Sequence, residues 1–293
     1  MTEQGHSDKR SGVLSPSRMD RAAPPPHVWD WQTYKSWRGV VWDLLSDVID
    51  DQVRGAFLVD PPQCVAGDDL SWLDKIILKA RGETVDSKAL LADRLVHRFT
   101  HLRAVHGTRT DDVGSFYKHG LLPLDPEFSH RNVRRIFLEG MFPELTAGDV
   151  EEAIAAVGHT YRAGRVYFEA NEPMFLEQCG HYLHYGSEYV TAIAAHLPGS
   201  RDYRQVLKKE GQPTLFVCDV PLGLVSGHTV LEFSGMALSY IFEDLLEGND
   251  YVPDPWRGAG FAIRYPLPPA CIVGHYHPAH VRDPLARRGV RAS

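Results

Sequence analysis

The stretch Leu102-Arg-Ala-Val-His-Gly-Thr-Arg-Thr110 stands where the sequence changes its character. Before it, from Trp29 to about Arg98, apolar residues recur at steps of three and four, which predicts helices. After it, short apolar runs are bounded by glycine and proline, which predicts strands. The stretch itself is an apolar strand that ends in the polar triplet His106-Gly-Thr. We therefore expect a loop-rich protein that combines helices with a sheet.

The composition divides the chain into four segments. Residues 1–27 are rich in Ser, Arg and Pro and predict a disordered tail, residues 28–100 a helical segment, and residues 101–280 the strand-bearing domain. Residues 281–293 carry four Arg and one Asp, a charge of +3, and we expect them to form a solvated basic tail.

The periodicity predicts five strands and four helices after residue 100. The strands are expected at Leu102–His106, Arg165–Glu169, Thr214–Leu222, Phe261–Leu267 and Ala270–His275. The helices are expected at Val113–His119, Ala147–Val157, Phe175–Leu197 and Phe233–Leu246.

The overall composition excludes several classes of protein. A chain of 293 residues with 43% hydrophobic residues and a net charge of −7 is neither disordered nor a strongly basic nucleic-acid platform. It has no apolar run of about 18 residues and no signal-like core, so we expect no membrane span and a cytoplasmic location. The four cysteines are far apart, at positions 64, 179, 218 and 271, which is typical of reduced thiols.

His106-Gly107-Thr108 is the first segment whose groups could bind a ligand or take part in a reaction. A histidine at a strand end presents a ring nitrogen to a cleft, the glycine admits a ligand close to the backbone, and the threonine hydroxyl both donates and accepts hydrogen bonds. A second segment, Gly164-Arg-Val-Tyr-Phe-Glu169, ends a strand with Tyr167, whose ring can stack on a flat ligand. Taken alone, each segment more often reflects ordinary strand packing.

The order of four such segments resembles the ADP-ribosyltransferase fold of the diphtheria-toxin and poly(ADP-ribose) polymerase branch. His106-Gly-Thr precedes a short helix and Gly120-Leu, and GRVYFEA resembles the family's glycine-aromatic strand. Phe216-Val-Cys-Asp-Val-Pro-Leu-Gly223 and the late strand from Phe261 complete the order. The resemblance covers roughly residues 102–277 and implies an α+β domain with a split, mostly antiparallel sheet.

The resemblance also implies a role for individual residues. NAD would be the substrate, His106 would hydrogen-bond one of its riboses, and the backbone of Gly107, beside Thr108, would pair with the carboxamide. Tyr167, or a tyrosine on the following helix such as Tyr185, would stack on the nicotinamide. Cleavage of the glycosidic bond creates an oxocarbenium-like ribose, whose positive charge needs stabilisation.

One departure concerns the acid that supports this charge. The family places a glutamate just before the late strand, where this sequence has Trp256-Arg-Gly-Ala-Gly-Phe261 and no acid. The leading substitute is Glu188, within His184-Tyr-Gly-Ser-Glu-Tyr189, where Ser187 adds a hydroxyl. A solvated Glu188 is the alternative, and Glu232 and Glu243 are weaker candidates.

Three functions remain open from the sequence. The first is an ADP-ribosyltransferase of protein or nucleic acid, or an NAD glycohydrolase, which would suit a bacterial toxin, effector or defence protein. The second is a catalytically inactive module of this fold that binds a nucleotide or a partner. The third is an RNA 2′-phosphotransferase, which needs a basic set such as Arg109, Arg131 and Arg264. The cluster His275-Tyr-His-Pro-Ala-His280 lacks a completing carboxylate or cysteine, so we expect no metal.

Overall fold

The computed structural model describes residues 24–139, 142–248, 251–254 and 256–286. Within these ranges the chain is an α+β protein. Its strands are β1 (Val28–Asp30), β2 (His101–Thr110), β3 (Val166–Glu169), β4 (Gln212–Pro221), β5 (Gly260–Ile263) and β6 (Ile272–Tyr276).

Twelve α-helices lie in the described ranges. The first six are α1 (Tyr34–Leu44), α2 (Asp51–Val59), α3 (Ser71–Arg81), α4 (Ser87–Arg98), α5 (Val113–His119) and α6 (Pro126–Leu138). The others are α7 (Ala147–Val157), α8 (Glu172–Gln178), α9 (His181–Tyr185), α10 (Glu188–His196), α11 (Arg204–Leu207) and α12 (Gly227–Glu247).

The six strands form one sheet, in which five follow the order β5-β3-β2-β4-β6 and β1 pairs with β2 outside this order. Every neighbouring pair along this order is antiparallel, whereas β1 joins the start of β2 as a short parallel strand. The expectation of a mostly antiparallel sheet is therefore confirmed. The sequence did not indicate β1, because three residues are too few to show a periodicity.

The sheet divides between β2 and β3. These strands pair at only one position, Val105 opposite Glu169. Beyond that position β2 continues along β4 for its whole length, and β3 pairs with β5 from Val166 to Glu169. Two strands that diverge after one pair leave an open space between them, and this space becomes the site described below.

The N-terminal helices are packed directly on the sheet. Trp29 and Trp37 are buried in the same hydrophobic cluster as Phe216 of β4, Phe233 of α12 and Phe261 of β5. The 28–100 segment and the strand-bearing segment therefore share one core and do not form separate hydrophobic units. Residues 24–27 of the expected tail are described, whereas residues 1–23 lie outside the described ranges.

The other face of β2 and β4 is covered by α8 and α9. Phe175 and Leu183 from these helices pack on Val105, Leu215 and other strand residues in a smaller cluster. A third cluster joins α6, α7 and α10 beside the sheet. The helix α6 was not predicted from the sequence, although Asp125 caps its N-terminus and Pro126 stands in its first turn.

The expected helix from Phe175 to Leu197 is wrong, because the chain forms three short helices there. Gly180 precedes α9, and a Cβ at Gly180 would lie 2.0 Å from the carbonyl oxygen of Arg282. Gly186 ends α9 with a φ of 80°, a conformation that glycine adopts without strain. Gly186 therefore ends α9 by its dihedral angle, whereas Gly180 lets the backbone of Arg282 approach the start of α9.

The beginning of the C-terminal tail is attached to the protein surface. The backbone N–H of Arg282 donates to the carbonyl of Leu176, and the Asp283 carboxylate accepts hydrogen bonds from Tyr185 and Lys208. Residues 281–286 are therefore not a free solvated end. Residues 287–293, which hold the remaining arginines, lie outside the described ranges.

Candidate functional site

A cavity of about 840 Å³ opens where β2 and β3 diverge. Its walls come from β2, the 115–129 segment, β3, the 175–189 segment and the start of β5. The wall residues that could offer polar or reactive groups to a ligand are His106, Gly107, Thr108, Ser115, His119, Asp125, Ser129, Arg162, Arg165, Tyr167, Glu169, Cys179, Tyr182, Ser187, Glu188 and Tyr189. Aromatic and aliphatic side chains supply most of the remaining surface, as in many small-molecule sites.

His106 joins the two diverging strands through its side chain. Its Nδ1 lies 2.8 Å from the carbonyl oxygen of Tyr167. Because a carbonyl only accepts hydrogen bonds, Nδ1 carries the proton and Nε2 is left as an acceptor. Burial lowers the pKa of His106, and the bond to the Tyr167 carbonyl opposes this only in part. The ring is therefore a neutral acceptor at neutral pH, suited to a ribose hydroxyl.

Gly107 has a packing role that the sequence did not indicate. A Cβ at this position would lie 2.3 Å from Cζ of Phe175 and 3.3 Å from Cδ2 of Leu183. The glycine therefore lets the Phe175 ring approach the strand. Gly107 and Thr108 also line the cavity, so they are within the expected site.

Tyr167 lies in the cavity wall with 38% of its surface exposed. Its hydroxyl donates to the carbonyl oxygen of Tyr161 at 3.0 Å, which fixes the ring position. An aromatic ring that is held through its hydroxyl and is partly exposed in a cavity is suited to stacking. The structure thus brings His106 and Tyr167 together, although 61 positions separate them in the chain.

Glu188 lines the same cavity and is held by two partners. Arg162 Nη2 donates to its Oε1 at 2.9 Å, and the Tyr182 hydroxyl donates to its Oε2 at 2.9 Å. Burial raises the pKa of Glu188, but the bonds from Arg162 and Tyr182 together outweigh burial and leave the pKa below its usual value. Glu188 is therefore ionised at neutral pH and partly neutralised by Arg162.

The residues around Glu188 separate at the break after α9. Ser187 lines the cavity, whereas Tyr185 does not. The Tyr185 hydroxyl donates to Asp283 at 2.7 Å, and Lys208 lies over its ring. Gly186 interrupts the helix between Tyr185 and Tyr189, so these two tyrosines lie on separate helices. Tyr182 occupies the cavity position that the sequence assigned to Tyr185.

Glu169 is a cavity residue that the sequence analysis did not single out. It is only 4% exposed. Its Oε1 accepts the backbone N–H groups of Asn171 at 2.9 Å and of Ala259 at 2.7 Å. Burial raises the pKa of Glu169 to about 6, although these backbone bonds oppose the shift. The register opposite Gly260 brings this carboxylate to the late segment that lacks an acid of its own.

The other charged candidates lie outside the cavity wall. Arg109 donates to the backbone carbonyls of Leu183, Lys208, Glu210 and Gly211, which makes it a structural anchor. Neither Arg131 nor Arg264 lines the cavity, and Glu232 and Glu243 also lie elsewhere. Among the described residues, no group of three or more His, Cys, Asp or Glu side chains is placed to hold a metal ion.

Comparison with protein-family models, with curated proteins and with solved structures found no match to this chain. No helix within the described ranges is both long enough and apolar enough to cross a membrane.

Proposed function

We propose that the protein binds NAD in the cavity between β2 and β3 and cleaves its nicotinamide–ribose bond. The ADP-ribose would pass to a protein or nucleic-acid acceptor, or to water. The observation that carries this proposal is that His106, Tyr167 and Glu188, from three separate segments, line one cavity. Its volume of about 840 Å³ lies within the usual range for small-molecule sites.

The fold supports the same proposal. The antiparallel order β5-β3-β2-β4-β6, with β2 and β3 diverging after one pair, agrees with the split sheet that the resemblance to ADP-ribosyltransferases implies. In this interpretation NAD enters at the divergence. A role as a toxin, effector or defence protein is part of the proposal and rests on the resemblance to that family alone.

Each cavity group has a task in this reaction. The Nε2 acceptor of His106 would hold a ribose hydroxyl, and the exposed face of Tyr167 would stack on the nicotinamide. The backbone of Gly107 and the hydroxyls of Thr108 and Ser187 are placed for polar contacts with the ligand. The ionised Glu188 would favour the developing positive charge of the ribose, which is greater in the transition state than in bound NAD.

A glutamate-to-glutamine exchange at position 188 tests this assignment. Glu188→Gln keeps the size of the side chain and removes its charge. We expect nicotinamide release at saturating NAD to fall by about 10²–10³, the loss caused by removing one well-placed electrostatic contact. NAD affinity, measured by calorimetry, should change little because the bound ribose is neutral.

Glu152→Gln is the matched control, since Glu152 lies exposed on α7 and outside the cavity. Equal rates in Glu188→Gln and the wild type would remove Glu188 from the mechanism. If the wild type binds NAD but releases no nicotinamide with protein or nucleic-acid acceptors, the protein is a binding module. The ion pair of Glu188 with Arg162 is the observation that favours this second function, because it reduces the charge available to the substrate.

A further inference from the structure

Glu169 is a second carboxylate in the cavity and differs from Glu188 in its surroundings. It is the last residue of β3 and stands opposite Val105, at the one position where β2 and β3 pair. Within the described ranges it forms no ion pair, whereas Glu188 is bound to Arg162. One cavity thus holds a carboxylate that is paired with an arginine and a carboxylate that has no cationic partner among the described residues.

The two oxygens of Glu169 have different environments. Oε1 is fixed by the N–H groups of Asn171 and Ala259. On the other side, a Cβ at Gly260 would lie 3.3 Å from Oε2. The glycine thus keeps side-chain atoms away from this oxygen, and both Glu169 and Gly260 belong to the cavity wall. The carboxylate is thus held through Oε1, while Oε2 lies beside Gly260 in the cavity wall.

The titratable groups around Glu169 do not supply a compensating charge. On β2, burial lowers the pKa of His106, so its ring is neutral. After α8, burial and then the charges of Glu169 and Glu188 raise the pKa of Cys179 to about 11, so its thiol is neutral.

Two charged residues in the adjoining segments, Arg257 and Glu172, have partners other than Glu169. The guanidinium of Arg257, in the segment before β5, lies 3.3 Å from Glu243. On α8, Glu172 accepts the hydroxyl of Tyr276 at 2.8 Å. Among the described residues, no cation forms an ion pair with Glu169, and its burial favours the protonated form. Two carboxylates in such different environments are suited to different tasks, one permanently charged and one that exchanges a proton.

We propose that Glu169 is the general base that accepts the proton of the nucleophile attacking the ribose. This inference rests on the proposed NAD cleavage. The C1′–N1 bond breaks and its electron pair leaves with nicotinamide, which becomes neutral. A bond forms between C1′ and the oxygen of water or of an acceptor hydroxyl. The proton of that oxygen passes to Oε2 of Glu169 and then to solvent, while Glu188 keeps its charge throughout.

The test is the pH dependence of nicotinamide release at saturating NAD. In the wild type we expect the rate to fall about tenfold per pH unit below an apparent pKa near 6 and to be constant above it. Glu169→Gln should be slower by about 10²–10³ and should lose this dependence. The glutamine oxygen still accepts the two backbone N–H groups. If the role of Glu169 is purely structural, the variant should therefore keep the acid limb of the profile, which is the fall in rate at low pH.

A second variant keeps the test decisive if Glu169→Gln does not fold. Gly260→Ala adds a methyl group beside Oε2, which removes water from the carboxylate and moves the acid limb to higher pH. Glu152→Gln should keep the wild-type profile. If the fall in rate at low pH persists in Glu169→Gln, or keeps its position in Gly260→Ala, Glu169 is not the general base. The proposed NAD cleavage is unaffected by that result. A wild type that releases no nicotinamide at any pH overturns the proposed function together with this inference.

Discussion

Replacing Gly107 by alanine should destabilise the protein, because the strand has no room for a methyl group there. The added Cβ would lie 2.3 Å and 2.6 Å from two ring carbons of Phe175. Carbon atoms in contact normally lie about 3.5–4.0 Å apart, so the ring must move by roughly 1 Å. Because Phe175 of α8 packs on the sheet with 5% of its surface exposed, this movement disturbs other contacts.

The magnitude is a balance of two effects. Overpacking in a core typically costs about 1–3 kcal/mol. Alanine restricts the unfolded chain more than glycine does, which returns about 0.5–1 kcal/mol. We therefore expect Gly107→Ala to lower the free energy of unfolding by about 1–2 kcal/mol, measured by urea denaturation.

A double-mutant cycle connects this loss to Phe175. Phe175→Leu destabilises by leaving a void, but it also creates the space that the methyl group of Gly107→Ala needs. The double variant should be more stable than the sum of the two losses predicts, by about 1–2 kcal/mol. Gly39→Ala is the matched control, because Gly39 is exposed in α1 and a Cβ added there would have nothing within 4 Å. The free energy of unfolding of Gly39→Ala should rise by about 0.5–1 kcal/mol.

If Gly107→Ala is as stable as the wild type, the Phe175 ring does not occupy the space beside the glycine. If the losses of the two single variants add within about 0.5 kcal/mol, they do not act through a shared contact.

Two further predictions concern stability. Arg109→Met should lower the free energy of unfolding by about 3 kcal/mol or more, because four backbone carbonyls lose a charged donor, and Arg109→Lys should lose less. A change within about 0.5 kcal/mol in urea denaturation of Arg109→Met would contradict this role. The folded pKa of Glu169 is raised from 4.5 to about 6, so the folded state binds more protons than the unfolded state in this interval. The free energy of unfolding of the wild type, relative to that of Glu169→Gln, should therefore fall by about 2 kcal/mol as the pH rises through this interval. If the free energies of unfolding of the two proteins change in parallel with pH, the pKa of Glu169 is not shifted.

The sequence predicted the positions of three strands because their signals are local, whereas β1 was missed and β5 ends at Ile263 and not at the expected Leu267. The apolar runs around Ala104, Phe168 and Val217 lie in β2, β3 and β4, as expected. The helices α5 and α7 begin and end at the predicted residues, since capping residues and glycines mark their ends. The prediction failed for the segment from Phe175 to Leu197, where the effect of each glycine depends on a neighbouring chain segment or on a dihedral angle.

The candidate site was predicted in part. His106 and Tyr167 were selected from the order of short motifs, and the cavity brings them together. Tyr185 was selected from its neighbours in the chain, yet its hydroxyl contacts Asp283 outside the cavity. A side chain's direction after a helix break depends on the backbone at the break, and the helical period cannot supply that information.

The sequence by itself determined that this is an α+β protein, where its long strands lie, and that an acid is missing before the late strand. Only the tertiary structure decided which acid stands beside that segment. Glu169 reaches Ala259 across the pairing of β3 with β5, although 90 positions separate the two residues. The environment of Glu169 likewise arises from elements that are distant in the chain. Local sequence specifies which groups a chain carries, whereas strand register and packing determine which of them meet and how water and charge surround them.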